Sequence, residues 1–239
     1  MILFYVRHGQ PIYSPDQLTP LGLRQAESVA RRLCQYGVDR VFASTSNRAI
    51  QTAQPTCDIL HLEPTLLDWI NESHAWAEMS VERPGGGRCW CYVEPDMLRL
   101  LSSEEVRSLG PRWHEHPAFE GRLFGQGVER VRREADAWLA SLGYVHDPER
   151  HLYRVERPDD ERRIALCAHE GAGMLFQSAL LDIPYPFFSI HFTMGHTGVT
   201  AIEFRDQGGW CVPCVLQLSN DSHLYRDGLP TRYQDRLRF

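Results

Sequence analysis

The chain has 239 residues, 43% of them apolar and 23% charged, which suits one large soluble domain with a sizeable core. Its formal net charge of -6 argues against an extended nucleic-acid or anionic-membrane surface. All 25 basic residues are arginine, so a Schiff-base lysine, a pyridoxal-phosphate enzyme and a P-loop lysine are excluded, and anion recognition by charged side chains falls to arginine or histidine.

The chain opens with Ile2-Leu3-Phe4-Tyr5-Val6, an apolar run that stops at Arg7-His8-Gly9. That run is shorter than the ~7–15 residues of a signal-peptide core, and no stretch approaches the ~20 apolar residues of a membrane span. It reads as a buried strand ending in a loop. Thr19-Pro20 supplies an N-cap and a first-turn proline for a helix with Leu23, Ala26, Val29 and Leu33 along one stripe, closed near Tyr36 by Gly37. Val41-Phe42-Ala43 reads as a second strand. Ser46 is placed to cap a second helix, with Ile50, Ala53, Cys57 and Leu60 as its stripe and Arg48 in its first turn. Leu66-Leu67 reads as a short strand leading to Asn71-Glu72.

From about 73 to 125 this rhythm is replaced by Gly85-Gly86-Gly87, scattered prolines and five large aromatics, Trp76, Trp90, Tyr92, Trp113 and Phe119. The expectation is a single domain over 1–239 with a cap inserted here, its aromatics packing a satellite core. Trp76 is the one nearest Glu72 and the best placed to touch a substrate. Regular pattern returns with a long amphipathic helix through Val128, Val131, Ala135, Trp138, Leu139 and Leu142, then a hairpin-like stretch at 146–162. Residues 164–168 form a strand ending at His169, 171–181 a helix, and 198–204 and 210–218 the last strands. Strands alternating with helices predict an α/β three-layer sandwich, a mostly parallel central sheet with helices on both faces and the inserted cap.

Seven cysteines, an odd number scattered through apolar sequence, do not form a disulfide framework and fit a reducing cytoplasm. Cys211-Val-Pro-Cys214 has CxxC spacing but no second pair. His74, His114 and His116 have poor zinc spacing, and no Gly-Lys-Ser/Thr follows the glycine triplet, so neither a metal site nor a P-loop is expected.

Ligand sites in open α/β sheets gather beyond the carboxyl ends of strands. Four such ends here deliver Arg7 and His8, Arg48, Glu72, and His169. Two histidines, two arginines and a carboxylate suit phosphoryl transfer. A neutral imidazole attacks phosphorus while its other nitrogen donates, for instance to a local carbonyl; arginines neutralise the phosphoryl oxygens; a carboxylic acid protonates the leaving alkoxide and then activates water. A protonated second histidine would add a donor, and the helix starting near Gly171 could aim free N–H groups at the same oxygens.

The motifs Val6-Arg7-His8-Gly9-Gln10, Leu18 to Ala26, Ser44 to Ala53, Asn71-Glu72 and His169-Glu170-Gly171 together resemble the histidine phosphatase superfamily, also called the phosphoglycerate mutase-like family. The resemblance implies His8 as nucleophile, Arg7, Arg48 and His169 as phosphate ligands, and Glu72 at the proton-donor position, with Asp68 and Glu78 nearby as alternatives. Glu170 stands where the family usually has glycine; its N–H is expected to serve phosphate and its side chain to face away. The implied activity is a cytoplasmic phosphatase with no cofactor and no metal, whose partner is a small phosphorylated substrate. Self-association is left open. A phosphoglycerate-type mutase is the alternative, disfavoured because Pro11-Ile12-Tyr13-Ser14-Pro15-Asp16 replaces the asparagine-rich stretch of mutases. A silent phosphate-binding protein is a third reading.

Overall fold

The structure, a computed structural model, describes residues 1–231. Its centre is a six-stranded sheet made of β1 (Ile2–Arg7), β2 (Arg40–Ser44), β3 (Thr65–Leu67), β4 (Arg163–Ala168), β5 (Val199–Glu203) and β6 (Cys214–Asn220). In space the order is β6-β5-β1-β4-β2-β3. The four strands β1, β4, β2 and β3 pair in parallel, while β5 and β6 add antiparallel at one side. The fold is therefore the expected α/β sandwich with a mostly parallel sheet.

Side chains alternate along a strand, and β1 buries both sets. Phe4 and Val6 face one layer with Val41, Ala43, Ala165 and Cys167 of neighbouring strands. Against them pack Val29 and Leu33 of α1 (Pro20–Tyr36) and Ala53 and Cys57 of α2 (Asn47–Leu60). Leu3 and Tyr5 face the other layer. There α3 (Glu72–Met79) contributes Met79, α4 (Phe124–Ser141) Trp138 and Leu139, and α5 (Gly171–Leu180) Phe176. A sheet covered on both faces accounts for apolar runs without a polar alternate.

The ends of α1 follow from local chemistry. Thr19 accepts a hydrogen bond from the Gly22 N–H at 3.0 Å, and Gly37 stops the helix in the left-handed region at φ 72°. Leu23, expected on the buried stripe, is exposed instead, and its place is taken by Gly22 and Gln25. Ser46 occupies the N-cap position of α2, but its hydroxyl makes no capping bond.

The hairpin expected near 146–162 is Tyr144–Asp147 paired antiparallel with Leu152–Val155. The run 210–218 is not one strand. Trp210–Cys211 joins that hairpin, whereas Cys214–Asn220 belongs to the central sheet. Pro213, which has no N–H to donate to a ladder, stands in the break. The two cysteines of the CxxC thus serve different sheets, Cys211 buried and Cys214 exposed.

Between α3 and α4 the chain forms a hairpin of Ser80–Glu82 with Arg88–Trp90, then short helices at Pro95–Leu101 and Glu104–Arg107 and single turns at Gly110–Glu115 and Pro117–Phe119. Trp113 stacks on Tyr185 at 5.5 Å and meets Phe119 and Phe124 edge-on or tilted at 5.5 Å. These aromatics are continuous with the apolar layer under α4 and α5. Gly85-Gly86-Gly87 makes the hairpin turn, with Gly86 and Gly87 at positive φ. Among the described residues no helix is long and apolar enough to cross a membrane.

Candidate active site

Because β1, β4, β2 and β3 run the same way, their carboxyl ends share one edge of the sheet. Arg7 pairs in register with Ala168, Cys167 with Ala43, and Ser44 with Leu67. The residues that follow these strands open onto a pocket of about 840 Å³, lined by Arg7, His8, Arg48, Glu72 and Glu170 among others. His169 lies fully buried beneath it, with its ring centroid 5.2 Å from that of His8.

The backbone of His8 is tied on both sides. Its N–H donates to the Ala168 carbonyl at 2.8 Å, and the N–H of Thr197 donates to the Arg7 carbonyl at 2.9 Å. The Nδ1 of His8 lies 2.7 Å from the Gly9 carbonyl oxygen, which can only accept, so Nδ1 carries the hydrogen and Nε2 keeps its lone pair. Burial above all, then the positive charge of Arg7, hold the imidazole well below its ordinary pKa against the upward pull of the Gly9 hydrogen bond, with Arg48 and His196 adding smaller downward effects. His8 is therefore neutral at physiological pH.

The loop carrying His8 is pinned by side chains from both helices of one layer. The Gly9 N–H donates to Thr52 Oγ1 at 3.0 Å, the Gln10 N–H to Gln25 Oε1 at 2.8 Å, and the Thr19 hydroxyl to Gln10 Oε1 at 2.8 Å. The backbones of 9–10 and 22 touch so closely that a Cβ on Gly22 would fall 2.2 Å from the Gln10 carbonyl oxygen.

Arg48 Nη2 donates to His169 Nδ1 at 3.1 Å, and Arg48 Nη1 donates to Asp16 at 2.7 Å. With Nδ1 accepting, His169 carries its hydrogen on Nε2, 2.8 Å from Ser44 Oγ and 3.2 Å from Ser46 Oγ. Burial, then His8, Arg48 and Arg7, depress its pKa well below the ordinary value. A fully buried ring facing three cationic or imidazole neighbours stays neutral, so it does not supply the extra donor that a protonated second histidine would have added. Ser46 serves this ring rather than the helix cap. Both Arg7 and Arg48 have a buried Nε with no hydrogen-bond partner among the described residues, in side chains that line the pocket.

Glu72 stands at the first turn of α3, half-buried, and its carboxylate accepts from the N–H groups of Gly171 at 3.0 Å and Ala172 at 2.8 Å. Those are the amides expected to be free for phosphate; in the structure Glu72 takes them. Desolvation raises the Glu72 pKa above the ordinary carboxylate value, against the downward pull of the two amides and of Arg48 and Arg7. The alternatives lie elsewhere. Glu78 is bound by Arg130 at 2.6 Å, and exposed Asp68 bonds Thr45 and His74.

Glu170 departs from its expected orientation. Its carboxylate does not face away but meets Arg7 Nη1 at 2.8 Å, and it also accepts from the Thr193 hydroxyl at 2.6 Å and the Met194 N–H at 3.1 Å. Arg7 and two donors from residues 193–194 hold it at the pocket, where local sequence could not show them.

Other contributors also escaped the sequence reading. Tyr5 is fully buried, and its hydroxyl donates to the His169 carbonyl at 2.6 Å while accepting from the His169 N–H at 3.2 Å, which fixes the end of β4. Asp16 and Tyr13 come from a small hairpin, Pro11–Tyr13 with Asp16–Leu18, and reach Arg48 from the solvent side, the Tyr13 ring centroid 5.4 Å from the guanidinium carbon. Trp90 packs over Gly171, and a Cβ there would fall 2.4 Å from its ring. Of the cap histidines, His74 bonds Asp68, His116 accepts from the Ala118 N–H, and His114 packs edge-on against Trp113.

Residues 3–82 match the model of the histidine phosphatase superfamily, branch 1. The resemblance carried by the motifs is therefore matched by a family model over the first part of the chain. The matched stretch carries Arg7, His8, Arg48 and Glu72. The mycobacterial glucosyl-3-phosphoglycerate phosphatase has a similar fold at TM-score 0.59 and 19% identity, over 92% of this chain and 98% of that one. A phosphoserine phosphatase from Entamoeba histolytica gives TM-score 0.58 and 18% identity, over 93% and 98%. Among curated sequences, the chain is 24% identical over 227 residues to PE-PGRS family protein PE_PGRS11 of Mycobacterium tuberculosis; the match takes in 88% of this chain but 35% of that protein.

Proposed function

We propose that the protein is a metal-independent phosphatase that hydrolyses a small phosphomonoester through a phosphohistidine on His8. One observation carries the reading: a neutral His8, its Nδ1–H held by Gly9, lies in a pocket lined by two arginines whose buried Nε donors have no acceptor among the described residues.

In the first step Nε2 of His8 attacks phosphorus and the ester P–O bond breaks. The developing positive charge on the imidazole is shared with the Gly9 carbonyl through Nδ1–H. Arg7 and Arg48 neutralise the phosphoryl oxygens, with His169 setting the orientation of Arg48. Glu72, its pKa raised by desolvation, gives a proton to the leaving alkoxide. The resulting carboxylate then takes a proton from water as that water attacks phosphorus, and phosphate leaves with the electron pair of the P–N bond returning to Nε2. Glu170 enters this scheme through its charge beside Arg7. Helix α3 supplies the Trp76 wall of the pocket and the segment between α3 and α4 the Trp90 wall, and together they act as its cap.

The test is direct. Wild-type protein mixed with a phosphomonoester and quenched in base carries acid-labile phosphate, and the His8→Ala protein carries none and turns over no substrate. Turnover that survives His8→Ala overturns the mechanism.

A further inference from the structure

We propose that the pocket selects phosphomonoesters whose leaving group is uncharged and offers a flat apolar face, against those whose leaving group bears a carboxylate or a second phosphate. This rests on the phosphatase reading above.

The first observation is where the aromatic rings stand. Trp76 follows Glu72 by four residues on α3, so the two side chains lie one above the other on a single helix face. Trp76 meets Trp90 edge-to-face, with centroids 5.0 Å apart and planes at 89°, and Trp90 stacks on Tyr92 at 5.9 Å and 12°. Trp90 in turn rests on Gly171, whose N–H binds the Glu72 carboxylate. The aromatic wall therefore begins beside the carboxyl that protonates the leaving oxygen. Whatever hangs from that oxygen extends along Trp76 and Trp90. Trp76 keeps 37% of its surface exposed, a large indole left open on the pocket side of its helix.

The second observation is charge. Among the described residues lining the pocket, the permanent cations are Arg7 and Arg48, and each already faces a carboxylate, Glu170 at 2.8 Å and Asp16 at 2.7 Å. Both are needed for the phosphoryl oxygens. The other charged groups on the lining are Asp16, Glu72 and Glu170 themselves. An anionic leaving group would lie near three carboxyl groups with no arginine left to meet it, a repulsion that low dielectric strengthens. A neutral ring covers the indoles and loses nothing to those charges. Arg232, Arg236 and Arg238 lie outside the described residues, so the test uses the full chain.

Hydrolysis-resistant phosphonates separate this selectivity from turnover. Phenethylphosphonate, propylphosphonate and the phosphonate analogue of phosphoserine replace the esters of benzyl alcohol, ethanol and serine with one CH2 in place of the bridging oxygen. Titration calorimetry on wild-type protein is expected to show phenethylphosphonate binding about tenfold or more tighter than the other two, the gain from burying one ring against indole. In Trp76→Ala the ratio of phenethyl to propyl affinity falls toward one, and Trp76→Phe restores most of it. Equal binding of phenethyl- and propylphosphonate overturns the proposal, as does binding of the phosphoserine analogue at or above the phenethyl level. A ratio unmoved by Trp76→Ala overturns the assignment to this wall. Hydrolysis of the three esters, and its loss in His8→Ala, reads the phosphatase mechanism independently, because the phosphonates report binding whether or not turnover occurs.

Discussion

Glu170 places a carboxylate oxygen 2.8 Å from Nη1 of Arg7, so an arginine proposed to hold phosphate already has an anion beside it. The pair is mostly shielded from solvent, with side-chain exposures of 11% and 16%, where charge interactions are screened little. An arriving phosphate must share Arg7 with this carboxylate. Glu170→Gln keeps the shape and an acceptor for Thr193 and Met194 but removes the charge. Inorganic phosphate or vanadate is expected to inhibit this variant at roughly threefold or more lower concentration than wild type, a modest gain for removing one nearby like charge at an effective dielectric near 20. Weaker inhibition would mean that the carboxylate serves mainly to aim Arg7.

Glu72→Gln tests the proposed proton donor. The amide cannot give or take a proton, and kcat is expected to fall about a hundredfold or more. The loss should be larger for alkyl esters than for nitrophenyl esters, because a nitrophenolate leaves without protonation. Values of kcat/KM on the two ester types read the difference, because they leave out the later water attack that both esters share, and an equal loss in kcat/KM would place the role of Glu72 in holding the α5 amides instead.

Gly22→Ala inverts an ordinary expectation. Alanine inside a helix usually gains up to about 1 kcal/mol over glycine. Here the added Cβ would fall 2.2 Å from the Gln10 carbonyl oxygen, a backbone atom with nowhere to yield. The variant is expected to lose roughly 1–3 kcal/mol of stability, the cost typical of overpacking, and to shift the loop that carries His8. Chemical denaturation gives the first effect and kcat/KM the second. Gly9→Ala strains the same contact, with its Cβ 2.6 Å from the Gly22 carbonyl oxygen, so the two losses should not add.

The histidines set opposing pH dependences of stability. His146 lies between Asp136 and Asp182, 3.1 Å from each; burial opposes its charge, but the two carboxylates outweigh it and raise its pKa to about 9. Its contribution is complete below the unfolded value near 6.5 and is lost as pH rises through 9. His8, His169 and His223 are depressed, His223 to about 3 by burial and Arg32, so their neutral forms stabilise the fold above pH 6.5 and that support drains away as pH falls below it. The thermal midpoint is expected to peak near pH 6.5. In His146→Gln the decline on the alkaline side should flatten and the acid side remain; a midpoint that keeps its alkaline slope contradicts the pairing.

What could be read from sequence alone was whatever depends on near neighbours. Thr19 and Gly37 mark the ends of α1 through contacts within a few residues, and the buried runs at β1, β2 and β4 announce a covered sheet. Because parallel strands end together, placing Arg7, His8, Arg48 and His169 after them was enough to predict that they meet. Orientation was not recoverable in this way. Glu170 points inward because Arg7, 163 positions earlier, and the 193–194 turn receive it. Asp16 reaches Arg48 only because a small hairpin folds over the pocket, and Ser46 turns to His169 across 123 residues. The division of 210–218 between two sheets likewise depends on where the 144–155 hairpin lies, with Pro213 as its one local sign.

The amide of His8 is secured to the strand on one side and the carbonyl before it to the turn on the other. The nucleophile proposed here, so moored, cannot travel toward its target. Whatever adjustment a catalytic cycle demands falls to the substrate and to the shorter pieces that overlook it, Trp76 and Trp90 among them. Those pieces can be rewritten by mutation to suit a new ester while the sheet that bears the imidazole stays as it is.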